Sequence, residues 1–329
     1  MKKLTKVIAL IMVGAMFAVS LSACGDRGNE AGAEGETIHI GILQHFEHPA
    51  LNAARDGFMN ELRERGFNVN FTPFNAVGDL TTSAQMAEQL VSMNPDLLLG
   101  ISTPSTRSLQ FATSTIPIVF TAVTDPVAAE FVQSAERPDT NLTGMSDLLP
   151  IIEQIRFLQR LFPEAQTIGI MYNSGEENSV IQANMAAAAM TELGLNYIRA
   201  TVTGTHDVPQ ITEHIVGQID VIFTPTCNTM AEAMTTAVMT AANSGVAIIA
   251  GDSGSVQNGA LATEGIDYYL LGRQAAQMAA AILNGESVPQ EMPIQWQDTR
   301  EITINMLTAR YLGIDIPADI LANATLIEE

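Results

Sequence analysis

From Thr37 onward, short β-branched or apolar runs alternate with longer runs that are apolar at helical spacing. The first series predicts strands at 38–43, 68–74, 95–101, 117–121 and 141–145. Between them it predicts helices at 49–65, stopped by Gly66, at 80–93, from Ser105 onward, and a short one at 126–133. A second series follows, with helices at 151–161, 179–193, 208–216 and 230–242. Its strands fall at 167–172, 197–201, 220–224 and 246–250. A late strand at 260–263, a helix at 268–283 ended by Gly285 and Pro289, a strand at 302–305 and a helix at 307–312 complete the pattern. Strand and helix in strict alternation predict an α/β fold with doubly wound parallel sheets, helices on both faces. Two consecutive series predict two such lobes.

The first 36 residues follow different rules. Lys2, Lys3 and Lys6 precede an almost wholly apolar run, 7–19, and then Leu21-Ser22-Ala23-Cys24. This is the layout of a secretory signal. The run is shorter than the roughly 20 residues that a membrane-spanning helix needs. The ending resembles a bacterial lipobox, which implies a signal peptide at 1–23, cleavage before Cys24 and a diacylglycerol on its thiol. Residues 24–36 are rich in Gly, Ala and acid and are expected to be a flexible tether. Together these features place the protein outside the cytoplasm, held by Cys24 to the outer face of the cell membrane.

Charge and cysteine content narrow the functional classes. The formal net charge is −21, which opposes nucleic-acid binding, since that needs basic patches. The chain has 2 cysteines, Cys24 and Cys227. With Cys24 lipidated, Cys227 has no partner for a disulfide, and no cysteine-based metal site can form.

In doubly wound sheets, ligands sit outside the carboxyl ends of the strands. Polar loops of this chain fall there. His45-Phe46-Glu47-His48 follows the first strand, Ser102-Thr103-Pro104-Ser105 the third, and Thr121 to Asp125 the fourth. In the second series the equivalent loops carry Asn173, Glu176, Asn178 and Ser179, then Thr226-Cys227-Asn228, then Gly251-Asp252-Ser253. Phe46 can stack on a planar ligand. Ser102, Thr103 and Ser105 can cap the next helix or, with its free amides, hold a carboxylate. Thr124 lies in the same kind of loop, and Asp125 before Pro126 suits a helix cap. Asn173, Glu176, Asn178 and Ser179 offer donors and acceptors, and Asp252 and Asp267 can hold an ammonium or cap a helix. His45 and His48 lack the third ligand of a metal site, and no metal or cofactor is expected.

Several of these loops also carry a resemblance. The segments Gly41 to Leu51, Thr121 to Pro126, Asn141-Leu142-Thr143-Gly144, Thr224-Pro225-Thr226 and Gly265 to Gly272 resemble the TrpX-type ABC transporter substrate-binding family, over about 37–311. The resemblance implies a type I periplasmic-binding-protein fold, with two lobes joined by a three-stranded hinge and closing on a ligand. It places lobe one at 37–145 plus 266–287 and lobe two at 146–265 plus 288–329. The hinge then passes near Ser146-Asp147, Gly265-Ile266 and Val288-Pro289. It further implies a small-molecule ligand, an aromatic or other amino acid among the candidates, delivered by a monomer to an ABC permease and its ATPase. The family pattern at 226–228 is Thr-Asp-Asn, whereas this chain has Thr226-Cys227-Asn228. An aspartate there would pair with an α-ammonium, and a thiol is nearly neutral at pH 7. On this reading Asp252 or Glu176 substitutes, or the ligand lacks an amino group, and Cys227→Asp should improve amino-acid affinity.

Two other functions use the same residues. A ligand-sensing lipoprotein partnered with a membrane receptor needs the same fold and anchor. A hydrolase would use Cys227 as nucleophile with a histidine base. His206 and His214 fall at a helix start and within a helix, and no Gly-x-Ser-x-Gly elbow or phosphate loop is present, so catalysis is not expected.

Overall fold

The computed structural model describes residues 37–328. The signal peptide, the lipobox with Cys24 and the tether lie outside the described residues. Among the described residues, no helix is long and apolar enough to cross a membrane.

The first half of the chain forms β1 (Ile38–Gln44), α1 (Pro49–Glu64), β2 (Val69–Asn75), α2 (Leu80–Ser92), β3 (Leu97–Ile101), α3 (Thr103–Ala112), β4 (Ile118–Val123) and β5 (Leu142–Ser146). Its strands make one parallel sheet in the order β2-β1-β3-β4-β5. β3 and β4 are buried at every position, as expected for strands covered by helices on both faces. β2 is the half-buried edge and carries Pro73, which an edge strand tolerates.

The second half opens with α4 (Ile151–Leu161), β6 (Thr167–Asn173), α5 (Glu177–Glu192), β7 (Asn196–Val202), α6 (Val208–Ile215) and β8 (Val221–Thr224). It continues with α7 (Asn228–Glu232), α8 (Met234–Ala242), β9 (Ala247–Ala250), α9 (Ser253–Gln257), β10 (Ala262–Gly265) and α10 (Tyr268–Leu283). It ends with β11 (Glu301–Asn305), α11 (Met306–Leu312), α12 (Ala318–Leu321) and β12 (Ala324–Ile327). The second sheet has the order β12-β11-β10-β9-β8-β6-β7. It is parallel except where β11 runs antiparallel to β10.

The chain passes between the sheets three times. It leaves the first at Ser146, returns at Gly265–Asp267, and leaves again after Gln297. On the return α10 packs along α1. A Cβ on Gly57 would collide with the Tyr269 carbonyl, and one on Gly272 with the Ala54 carbonyl, so two glycines set the close approach of these helices. The third passage lies beyond Val288-Pro289. Residues 292–295 still pair with the first sheet: Thr143 Oγ1 donates to Met292 O at 2.7 Å, Ile294 N to Ala135 O at 2.8 Å, and Gln295 N to Gly144 O at 3.1 Å.

Two expected helices differ. Residues 126–133 form turns, not a helix. Asp125 Oδ1 accepts from Val127 N and Ala128 N, as a cap would, but Glu130 at φ 51° reverses the chain after one turn. The helix expected at 230–242 starts at Asn228 and breaks at Ala233, where φ is −93° and ψ 9°.

Candidate functional site

The strand ends of the two sheets face one another across a small cavity of about 10 Å³. The first lobe contributes His48, Ala50 and Leu51 at the start of α1, Ala122 at the end of β4, and Tyr268 at the start of α10. The second lobe contributes Asn178, Thr226, Cys227, Asn228, Ala231 and Asp252, with Asp147 from the first crossing. Among the described residues, no lysine or arginine lines it. Ala122 holds φ 56° at a register shift between β4 and β5. Ser102 holds φ 83° at the end of β3. Non-glycine residues pay about 1–3 kcal/mol for such conformations and cluster at ligand sites.

The lobes are in contact around this cavity. His48 Nε2 lies 3.3 Å from Asn228 Oδ1. Gln182 Nε2 donates to Thr124 Oγ1 at 3.0 Å, and Gln182 Oε1 accepts from Thr226 N at 3.0 Å. Arg107 reaches Glu177 at 2.8 Å across the cleft mouth. A Cβ on Gly254, in α9, would sit 2.6 Å from Ala50 N, so that glycine lets the starts of α9 and α1 meet. This is a closed arrangement.

Glu176 builds the wall behind the cavity and does not line it. Its Oε2 accepts from Asn228 N at 3.0 Å and Asn228 Nδ2 at 2.7 Å. Its Oε1 accepts from Thr229 N at 2.8 Å and Thr229 Oγ1 at 2.5 Å. The carboxylate therefore spends both oxygens on the start of α7. Asn173 braces the same loop, donating from Nδ2 to Thr229 Oγ1 at 2.8 Å and from its backbone N to Cys227 Sγ at 3.3 Å. Burial, and then the Glu176 carboxylate 3.8 Å away, push the Cys227 thiol far up. It stays protonated and neutral.

Asp147 and Asp252 are the carboxylates of the lining. Tyr268 Oη donates to Asp147 Oδ2 at 2.9 Å, while Asp147 Oδ1 is buried with no hydrogen-bond partner among the described residues. Burial raises the Asp147 carboxyl to about 6, and the nearby Asp252 charge adds to the rise. Asp252 caps α9, accepting from Ser255 N at 2.8 Å and Ser255 Oγ at 2.7 Å. Asn178 donates from Nδ2 to Thr226 O at 3.0 Å, which fixes its amide orientation and leaves Oδ1 buried without a donor. α1 begins at Pro49 with no side-chain cap, so its first-turn amides have no acceptor within the helix.

Six residues singled out from the sequence thus meet in the cavity: His48, Asn178, Thr226, Cys227, Asn228 and Asp252. Others lie outside its lining. Phe46 packs against Gly78, where a Cβ would collide with its ring. Ser102, Ser105 and Ser179 are buried with unpartnered hydroxyls. Thr103 borders a separate groove of about 340 Å³ between α2, α3 and the 175–177 turn. Asp267 caps α10 through Leu270 N at 3.1 Å. Sequence reasoning placed Asp147 only at a hinge and passed over Tyr268, Ala122 and the α1 start. Their signals were a carboxylate in a crossing and a tyrosine directly after a helix cap.

Two α/β lobes closed on a buried polar cavity define a two-lobed solute-binding protein. The chain belongs to the ABC transporter substrate-binding protein family, whose pattern matches residues 39–327. It is 36% identical over 325 residues to a tyrosine-binding protein of Clostridioides difficile, covering 95% of this chain and 94% of the relative. A domain from Streptococcus pneumoniae in complex with L-Trp matches with TM-score 0.85 and 32% identity, over 88% of this chain and 99% of that one. The ligand-free, open form of a substrate-binding protein with adhesive properties from Clostridium difficile is 38% identical over the same shares. Its TM-score is only 0.68. The chain thus overlays better on the L-Trp complex than on an open form of higher identity, in keeping with its own contacting lobes.

Proposed function

We propose that the protein captures one α-amino acid, an aromatic one foremost, outside the cytoplasm and delivers it to an ABC permease and its ATPase. The observation that carries this reading is the composition of the cavity. The lining holds two surplus acceptors, Asp147 Oδ1 and Asn178 Oδ1. The start of α1, which also reaches the lining, has no side-chain cap and offers amides and a positive helix end to a carboxylate. That is the polarity of a zwitterion. The tyrosine-binding relative and the relative solved with L-Trp support an aromatic side chain.

The cavity is too small for such a ligand as it stands, because its open space holds the centre of about one water. The lobes therefore part to admit ligand and close again around it, moving about the three crossings. Closure advances only as far as the ligand prefers the closed state. A lipid on Cys24, the 24–36 tether and a monomeric state complete the proposal. Isothermal titration with the twenty amino acids tests it. Saturable binding of one aromatic amino acid per chain is expected, and no heat with any amino acid would refute it.

A further inference from the structure

We propose that the groove between α2 and α3, at the mouth of the cleft, is a second ligand site, and that it takes an aromatic amine without a carboxylate. The proposal does not depend on the amino-acid reading of the central cavity.

The groove holds about 340 Å³, against about 10 Å³ for the central cavity. Small-molecule sites typically hold about 300–1,000 Å³. Leu80 and Ala84 of α2 form one wall, and Pro104, Phe111 and Ala112 of α3 the other. Gly175 and Glu177, from the turn after β6 and the start of α5, close it from the second lobe. Phe111 is 80% exposed and Leu80 57%. Large apolar side chains exposed together beside a concavity mark a binding surface.

The polar groups set the chemistry of the occupant. Arg107 is already committed. Its guanidinium bonds Glu177 at 2.8 Å and Gln110 Oε1 at 2.9 Å, and lies 4.6 Å from the centre of the Phe131 ring. Two carboxylates, Glu88 and Glu177, therefore stand against one guanidinium in the lining. The Glu88 side chain has no ion pair or hydrogen bond among the described residues. A ligand cation balances this surplus, and a ligand carboxylate adds to it. The Thr103 hydroxyl lines the groove, 3% exposed, with no hydrogen-bond partner among the described residues. It can donate to or accept from a ligand hydroxyl. The Phe111 ring touches the Arg107 guanidinium only at 5.9 Å, which leaves its exposed face for an aromatic body or an ammonium. An apolar, aromatic body with one ammonium and no carboxylate satisfies all of these groups. Such an occupant sits outside the central cavity, so both sites can be filled at once.

Isothermal titration of tyramine into the lipid-free protein tests this. Saturable one-to-one binding is expected, weakened about threefold by Glu88→Gln and about tenfold by Glu88→Gln with Phe111→Ala. Both side chains are exposed, so neither change is expected to disturb folding. 4-Ethylphenol, which lacks the ammonium, should bind about threefold more weakly or worse. Ethylamine, which lacks the ring, should show no saturable binding. L-Tyrosine in excess should leave tyramine bound. No saturable binding of tyramine, binding indifferent to both variants, or displacement by L-tyrosine would overturn the proposal. So would ethylamine binding as tightly as tyramine, which would show attraction to an acidic surface only. The amino-acid titrations are read separately, so either reading can fail while the other stands.

Discussion

Glu176→Gln separates a bracing role from a ligand contact. In the native protein each carboxylate oxygen accepts two hydrogen bonds from residues 228 and 229, at 2.5–3.0 Å. Gln keeps the shape but turns one oxygen into an NH2. Two donors at the α7 start then lose their acceptor, each such bond worth about 1.5–3 kcal/mol, and the other two keep only a neutral one. Thr229 Oγ1 can rotate and accept from the new amide, which recovers part of the loss. The expected net cost is about 2–4 kcal/mol. For a chain of this size that lowers the melting temperature by about 3–7 °C. Thermal unfolding of lipid-free protein, with and without ligand, measures it. A ligand-contact role gives the opposite pattern, with binding lost and the melting temperature of the empty protein unchanged. A shift below about 1 °C would refute the bracing argument.

Cys227→Asp sets a second carboxylate where Sγ lies 3.8 Å from Glu176, and like charges at that distance repel by about 4 kcal/mol near a protein surface. The structure therefore predicts lower stability at pH 7.5 than at pH 5 for this variant, and equal melting temperatures at the two pH values would refute that. Gly272→Ala drives a methyl into the Ala54 carbonyl on α1 and should cost about 1–3 kcal/mol in denaturant unfolding, whereas an unchanged midpoint would show that the helices part freely. Arg107→Ala removes a cross-cleft ion pair whose side chains are 27% and 42% exposed; affinity should fall by less than about fivefold and lose its salt dependence, and a hundredfold loss measured by titration would show that the pair does more than clasp the lobes.

Much of the architecture was legible because its causes are local. Runs such as Leu97–Ile101, and Ile118–Val123 with Thr121 its one polar residue, are short and almost wholly apolar, which reads as central strands, and both are buried at every position. The false helix at 126–133 also had a local cause, since Asp125-Pro126 is a sound helix start and the reversal at Glu130 leaves no periodic trace. β12 escaped because Ala324–Ile327 is short and half-exposed, and only its pairing with β11 makes it a strand. The site was legible at the level of loops, and six of its residues were marked by their position after strands. Which loop carboxylate faces the cavity was not legible. Asp147, Glu176 and Asp252 look alike in sequence. They are distinguished by partners more than 50 residues away for Glu176, 121 residues away for Asp147, and three residues away for Asp252.

The central claim is that the cavity binds a zwitterionic α-amino acid through its ammonium. Titrating L-tyrosine against its des-amino analogue, 3-(4-hydroxyphenyl)propanoate, at pH 7.5 tests it most directly. The account predicts saturable one-to-one binding of L-tyrosine and at least hundredfold weaker binding of the analogue. Equal affinity for the two would contradict it.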